Sequence, residues 1–313
     1  MAAYNATSKE RVKLVLINIV IAAALYALLK WLIKTVELSK LGNVNSSGPE
    51  VITYPSFYVA EAFSFVFSLL GHALFPLAYL FGLLISGLQI IAGSNYSLDI
   101  GVGMAIAGLA YAISEGIIFS KKKAIHRADE STRKTVHILS NLSACLVIWI
   151  LGLQTTSYIV LLALLIGIPV MHLTIRGIKI PGIQEWLKEV GRKGETPGEG
   201  PFYNALGILF ALGMLRNDQL AAIAAILIFG LGDGFATYIG TTYGKHKLPW
   251  NKDKTMEGSL GFVAAAMSAL FVMPVYAIFL GAILGAFVES LPLKINDNIT
   301  VPVVLSLLFY FLL

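Results

Sequence analysis

The chain has 313 residues, 57% of them hydrophobic and only 13% charged, with a mean hydropathy of +0.78, whereas soluble domains carry about a quarter charged residues. That balance excludes a soluble enzyme and identifies an integral membrane protein, and the roughly ten-residue alternation of an outer-membrane barrel is absent. A net charge of +5 and a pI near 9.1 do not mark a nucleic-acid binder, because the cations gather in loops between apolar runs, as in cytoplasmic loops of membrane proteins.

Apolar runs of about 17 to 25 residues recur along the whole length. They predict an all-α polytopic bundle of about 9–12 transmembrane helices in a single domain, with N-terminal helices over 1–120 and a core over 121–313. The first span covers Leu14 to Lys34 behind Lys9, Arg11 and Lys13, which places the N-terminus in the cytoplasm. A polar loop follows over Leu41 to Pro55. The apolar run from Phe57 to Ala92 is too long for one bilayer crossing at about 1.5 Å per residue, and Gly71 to Pro76 divides it into a hairpin. Another span over Asp99 to Ser120 leads to a basic loop with Lys121, Lys122, Lys123, Arg127, Arg133 and Lys134. Spans at His137 to Leu151 and Ser157 to Ile175 lead to a second basic loop over Arg176 to Pro201, with a surface helix around Ile183 to Val190. Phe202 to Leu215 and Leu220 to Leu231 form a hairpin, as do Met256 to Val272 and Val275 to Glu289, and Ile299 to Leu313 is the last span. The lone Cys145 sits in an apolar run and permits no internal disulfide.

The polar loops after Ser120, Ile175, Leu231 and Glu289 fall on one face in this scheme, and they carry the residues with chemistry. The stretch GLGDGFATYIGTTYGKHKLPWNKDKTMEGSLG, Gly230 to Gly261, places Asp233 between Gly232 and Gly234 at the end of an apolar run. Glycines there are expected to let backbone amides and a bulky ligand come close. Lys245, Lys247, Lys252 and Lys254 follow with His246, and Thr255 is placed to cap a helix whose first turn holds Glu257 and Gly258. Free amides at that helix start and the lysines suit phosphate. Arg133, Lys134, His137 and Asn141 share one helical stripe, suited to an anion or an alcohol. Late in the chain Glu289, Asp297 and Asn298 offer oxygen ligands for a hard cation with Asp233. Glu199 and Tyr203 are weaker candidates, and Glu61, His72, Glu115 and His172 lie in or near spans, where helix-to-helix hydrogen bonding explains them equally well.

The signature GDGFATYIGTTYGKHKLPWNKDKTMEGS, with RKTVH at Arg133 to His137 and ESLPLKINDNITVP at Glu289 to Pro302, resembles the CTP-dependent polyprenol kinase family, which includes dolichol, phytol and farnesol kinases. KTMEGS is closer to dolichol kinases, and KLPWN with the ESLP run is closer to phytol kinases, which usually carry a second acid where this chain has Thr237. The resemblance covers Arg133 to Pro302. It implies a lipid alcohol kinase that phosphorylates a polyprenol, foremost dolichol, with CTP and Mg²⁺ at the cytoplasmic face. The membrane would be the endoplasmic reticulum in a eukaryote and the plasma membrane in a prokaryote. Under it Asp233, His137 and Glu257 are the catalytic candidates, with His137 or Glu257 as the base. Arg133, Lys134, Lys245, Lys247, Lys254, Thr255, Gly232, Gly234 and Gly258 would hold the nucleotide, and Asp233, Asp297, Asn298 and Glu289 the metal. A phytol or geranylgeraniol kinase is the next reading, then a CDP-lipid-forming cytidylyltransferase, then a transporter. A kinase gathers its acids at one face of the membrane, and a transporter gathers them at mid-depth.

Overall fold

The computed structural model describes residues 7–41, 56–91, 97–119, 130–183, 186–187, 196–293 and 295–313. The loop over 42–55, the cations Lys121 to Arg127 and most of the expected surface helix around 183–190 lie outside the described residues. The described residues fold as an all-helical polytopic bundle. Four helices are long and apolar enough to cross a membrane, Ser8–Thr35, Ser97–Phe119, Thr132–Ile175 and Gln219–Thr242, and shorter apolar helices accompany them.

The chain divides into two compact units, Ala2–Ser120 and Lys121–Leu313. In the first, α1 (Ser8–Leu41) packs on α2 (Phe57–Ser68) and on α4 (Ser97–Phe119), and α2 also meets α3 (Phe75–Ile91). The predicted hairpin is present: α2 stops at Ser68, Gly71 takes a left-handed φ of 78°, and α3 starts at Phe75. Gly103 of α4 lets the start of α2 dock, because a Cβ there would lie 2.8 Å from the Ser56 carbonyl oxygen.

The second unit holds α5 (Glu130–Ile175), α6 (Glu199–Met214), α7 (Gln219–Thr242), α8 (Met256–Ala266, extended by a 3-10 turn to Phe271), α9 (Val275–Ser290) and α10 (Asp297–Leu312). Gly152 breaks α5 into two arms with φ 80° and ψ 171°, so the turn expected over several residues is made by one glycine. Helix α7 is the axis, touching α5, α6, α8, α9 and α10. Its sequence explains this, because a helix apolar all round is buried on every side. Ala221, Ala222, Ala224 and Ala225 are fully buried, and such small side chains let neighbouring backbones come close.

One boundary differs from expectation. The apolar run ends at Leu231, where the span was expected to close, yet the helix continues to Thr242, so Asp233 lies inside α7. Hydropathy marks where lipid contact ends, and the backbone ladder of α7 does not stop there. Arg133 and Lys134 lie in the first turns of α5, on the helical stripe expected of them.

Candidate active site

Asp233 is 1% exposed, and its Oδ2 accepts a hydrogen bond from the Lys134 ammonium, with His137 Nε2 3.5 Å away. The ring of His137 stands edge-on to Phe229, centroids 4.8 Å apart. The spacing of 134 and 137 on α5 is the helical stripe read from sequence, here pressed against α7. Across α7, Lys254 binds the Glu289 carboxylate and lies 3.8 Å from Asp297 Oδ2. Burial alone would lower the Lys254 pKa, but Glu289, then Asp297 and Asp233, outweigh it and hold the group above the ordinary lysine range. It is therefore an ammonium at any physiological pH.

The two halves meet. One carboxylate oxygen from each of Asp233, Glu289 and Asp297 lies within 4.8 Å of the others. Asp233 supplies its acid from inside α7, Glu289 from the last turn of α9, and Asp297 from the first residue of α10. Lys134 comes from the start of α5, and Lys254 precedes α8. Four of these five groups sit at helix ends, so the cluster marks one end of the bundle. Asp233 is nine residues before Thr242 because α7 projects past that level, and its outer turns expose Phe235 and Tyr238.

The loop between α7 and α8 is fastened to this end. Lys247 and Thr255 form a single antiparallel bridge. The Leu248 amide donates to the Lys254 carbonyl at 3.1 Å. Trp250 Nε1 donates to Ser290 Oγ at 3.1 Å and Asn251 Nδ2 to the Ser290 carbonyl at 2.9 Å. The Pro-Trp-Asn turn thus clasps the residue next to Glu289, which sets Lys254 against that acid. Thr255 caps α8 as expected, its Oγ1 accepting from the Gly258 amide at 3.1 Å.

Other expected residues stand elsewhere. Glu257 is joined to His246, Nδ1 to Oε1 2.6 Å, instead of to the acid cluster, because the loop bridge brings His246 beside the first turn of α8. Lys245 and Lys247 are exposed. Gly232, Gly234 and Gly258 do not open space for a ligand: a Cβ on Gly232 would lie 2.6 Å from the Phe262 ring, one on Gly234 2.5 Å from Ile138, and one on Gly258 2.8 Å from the Ala236 carbonyl. They are the points where α5, α7 and α8 close on each other. Arg133 is half-buried beside Lys134. Asn298 donates its Nδ2 to the Gly200 carbonyl at 3.2 Å, tying the start of α10 to α6. Glu199 accepts from the Thr196 amide at 3.1 Å, which makes it a helix-start group, and His72 Nδ1 accepts from the Leu74 amide in the α2 to α3 turn.

Asn204 on α6 was not anticipated. Its Oδ1 accepts from Asn141 Nδ2 at 3.1 Å and its Nδ2 donates to Ser140 Oγ at 3.3 Å. One asparagine in an apolar helix carries little signal beyond its cost in lipid. Pro302 also has a role here, because it lacks the amide that would bond the Asn298 carbonyl four residues earlier. Gly207 of α6 packs against that carbonyl, where a Cβ would sit 2.6 Å away.

The donor set fits a hard divalent cation. Three carboxylates converge, and Asp233 Oδ1 is buried without a hydrogen-bond partner among the described residues. Such an orphaned oxygen is costly unless something cationic or a donor meets it. Three carboxylates against two ammonium groups leave one net negative charge, which a divalent ion would turn positive and so receptive to a polyphosphate.

No family profile matches the chain, and no solved structure matches it. Among curated proteins, the chain is 30% identical over 202 residues to a probable chloroplastic phytol kinase of Zea mays, spanning 58% of this chain and 66% of that protein. It is 27% identical over 241 residues to a chloroplastic phytol kinase of Arabidopsis thaliana, spanning 70% and 78%, and 29% identical over 190 residues to a chloroplastic farnesol kinase of the same plant, spanning 54% and 61%. An uncharacterized protein of Methanocaldococcus jannaschii is 32% identical over 180 residues, which are 56% of this chain and 91% of that protein.

Proposed function

The chain belongs to the isoprenoid alcohol kinase family of the phytol and farnesol kinases, and from that premise we propose that it transfers the terminal phosphoryl group of Mg²⁺-bound CTP to a membrane-embedded isoprenoid alcohol. The observation that carries the reading is the convergence of Asp233, Glu289 and Asp297 with Lys134 and Lys254 at one end of the bundle. A carrier would gather such groups at mid-depth. The named substrates of the relatives favour a phytol-like or geranylgeraniol-like alcohol over the much longer dolichol, and CTP comes from the family resemblance.

Phosphoryl transfer needs positioning and charge neutralisation more than covalent chemistry. Asp233, Glu289 and Asp297 would hold Mg²⁺, which would supply positive charge to offset that of the phosphates. Lys134 and Lys254, now held on those acids, are the cations within reach of the phosphates. Arg133 adds charge at the rim, and Lys245 and Lys247 draw the nucleotide in from water. His137 Nε2 is the proton-accepting atom for the alcohol, since Glu257 is committed to His246. The site faces the cytoplasm, where nucleotides are plentiful, while the alcohol arrives from the lipid. A detergent-solubilised assay crossing CTP and ATP against phytol, geranylgeraniol and dolichol tests this. Turnover is expected with CTP and the shorter alcohols, and no phosphorylation of any isoprenoid alcohol would overturn it.

A further inference from the structure

One turn deeper than His137, the polar groups between α5, α6 and α7 leave one acceptor unmet. Asn141 is 1% exposed. Its Nδ2 donates to the His137 carbonyl at 2.8 Å and to Asn204 Oδ1 at 3.1 Å. That orientation is forced, because turning the amide over would set its oxygen against the His137 carbonyl. Asn204 is oriented in turn by its donation to Ser140 Oγ, and Ser140 Oγ donates to the His137 carbonyl at 2.9 Å. Both amide hydrogens of Asn141 are therefore used, and its Oδ1 is buried with no partner among the described residues. Gly230 of α7 abuts the Asn141 side chain directly, and the Phe229 ring stands edge-on to the His137 ring.

The geometry points to Asn141 as the residue that receives the hydroxyl of the lipid alcohol, its Oδ1 accepting the O–H hydrogen bond, with Asn204 as the positioning residue that aims it. A buried water generally makes about three hydrogen bonds, whereas the one group left unmet here is a single acceptor. A hydroxyl on the end of a hydrocarbon chain supplies one donor and otherwise carbon. The depth is right as well. Asn141 lies one turn from His137 on α5, and Gly230 lies one turn from Asp233 on α7, so a hydroxyl there sits on the lipid side of the metal-binding acids. No bond forms or breaks at Asn141; it holds the hydroxyl as the alcohol binds, and the O–H turns from its Oδ1 to His137 Nε2, 3.5 Å from Asn141 Nδ2, as the oxygen attacks.

This inference rests on the reading of the chain as an isoprenoid alcohol kinase, and the test separates the two. Geranylgeraniol is compared with its methyl ether, which keeps the chain and loses the O–H, as a substrate and a competitive inhibitor of the purified full-length protein. The wild type is expected to bind the alcohol about tenfold more tightly than the ether, the worth of one buried hydrogen bond. In Asn141→Ala that ratio is expected to fall to about one, with the KM for CTP unchanged. Asn204→Ala is expected to reduce the ratio partway. Equal affinity of the wild type for alcohol and ether would overturn the assignment without any variant, as would an undiminished ratio in a folded Asn141→Ala protein. Absence of turnover with every alcohol would remove the kinase reading and this inference with it.

Discussion

Both units of the chain bury polar side chains among hydrocarbon, but they satisfy them differently. In the N-terminal unit Asn18 and Ser114 take backbone groups and hydroxyls as partners. Asn18 Nδ2 donates to the Ser64 carbonyl and to Ser68 Oγ, both at 2.8 Å, and Ser114 Oγ donates to the Ala110 carbonyl at 2.8 Å. These are neutral contacts of the kind that glue membrane helices together. In the C-terminal unit the acid cluster takes ions as partners: Lys134 with Asp233, and Lys254 with Glu289 and Asp297. Neutral glue can be exchanged for apolar packing, whereas an ion pair in a buried site costs desolvation and is kept for another reason. The contrast assigns packing to Asn18 and Ser114 and chemistry to the ion-paired acids.

The sharpest way to break that contrast is Asp233→Asn. We expect turnover to fall about a thousandfold or more, and some stability to be lost because Lys134 is left buried without its counter-ion, about 3–5 kcal/mol in comparable cases. A folded variant with full turnover would remove Asp233 from the chemistry. Glu289→Gln and Asp297→Asn come next, each expected to cost about a hundredfold in turnover at limiting Mg²⁺. Titration with Mg²⁺ checks this, since loss of a ligand is partly recovered at high metal. In the other unit, Asn18→Leu is expected to lower thermal stability by about 1–2 kcal/mol and leave kcat/KM for the alcohol unaltered; a loss of turnover in the folded protein would give that unit a chemical role. Smallest is Lys245→Ala with Lys247→Ala. These exposed cations should raise the KM for CTP only a few-fold, and the difference should vanish at about 1 M salt, where screening reaches about 3 Å.

Much of the fold was legible because long apolar runs and a few glycines and prolines mark crossings and turns. The turn between Leu151 and Ser157 and the hairpin at Gly71 to Pro76 were read in that way. The end of α7 was not, because Gly232 to Thr242 loses hydrophobicity while keeping its helical hydrogen bonds. In the site, residues bound to charge by simple spacing were found: Lys134 and His137 on one stripe, Thr255 as a cap, and the three acids. The glycines at 232, 234 and 258 were misread for a physical reason, since a missing side chain admits a neighbouring helix as readily as a ligand and composition does not distinguish them. Glu257 was drawn away by His246, a pairing that depends on the Lys247 to Thr255 bridge. Asn204 lies far from the signature stretch, and only packing brings it to Asn141.

The central claim is that three acids from three helices form one divalent-cation site. Manganese binding followed by electron paramagnetic resonance in the purified protein, with and without CTP, tests it most directly. One tightly held ion per chain is expected in the wild type, with its affinity raised by CTP and abolished in Asp233→Asn, whose helical content by circular dichroism stays native. Equal manganese binding by the wild type and a folded Asp233→Asn protein would contradict the account.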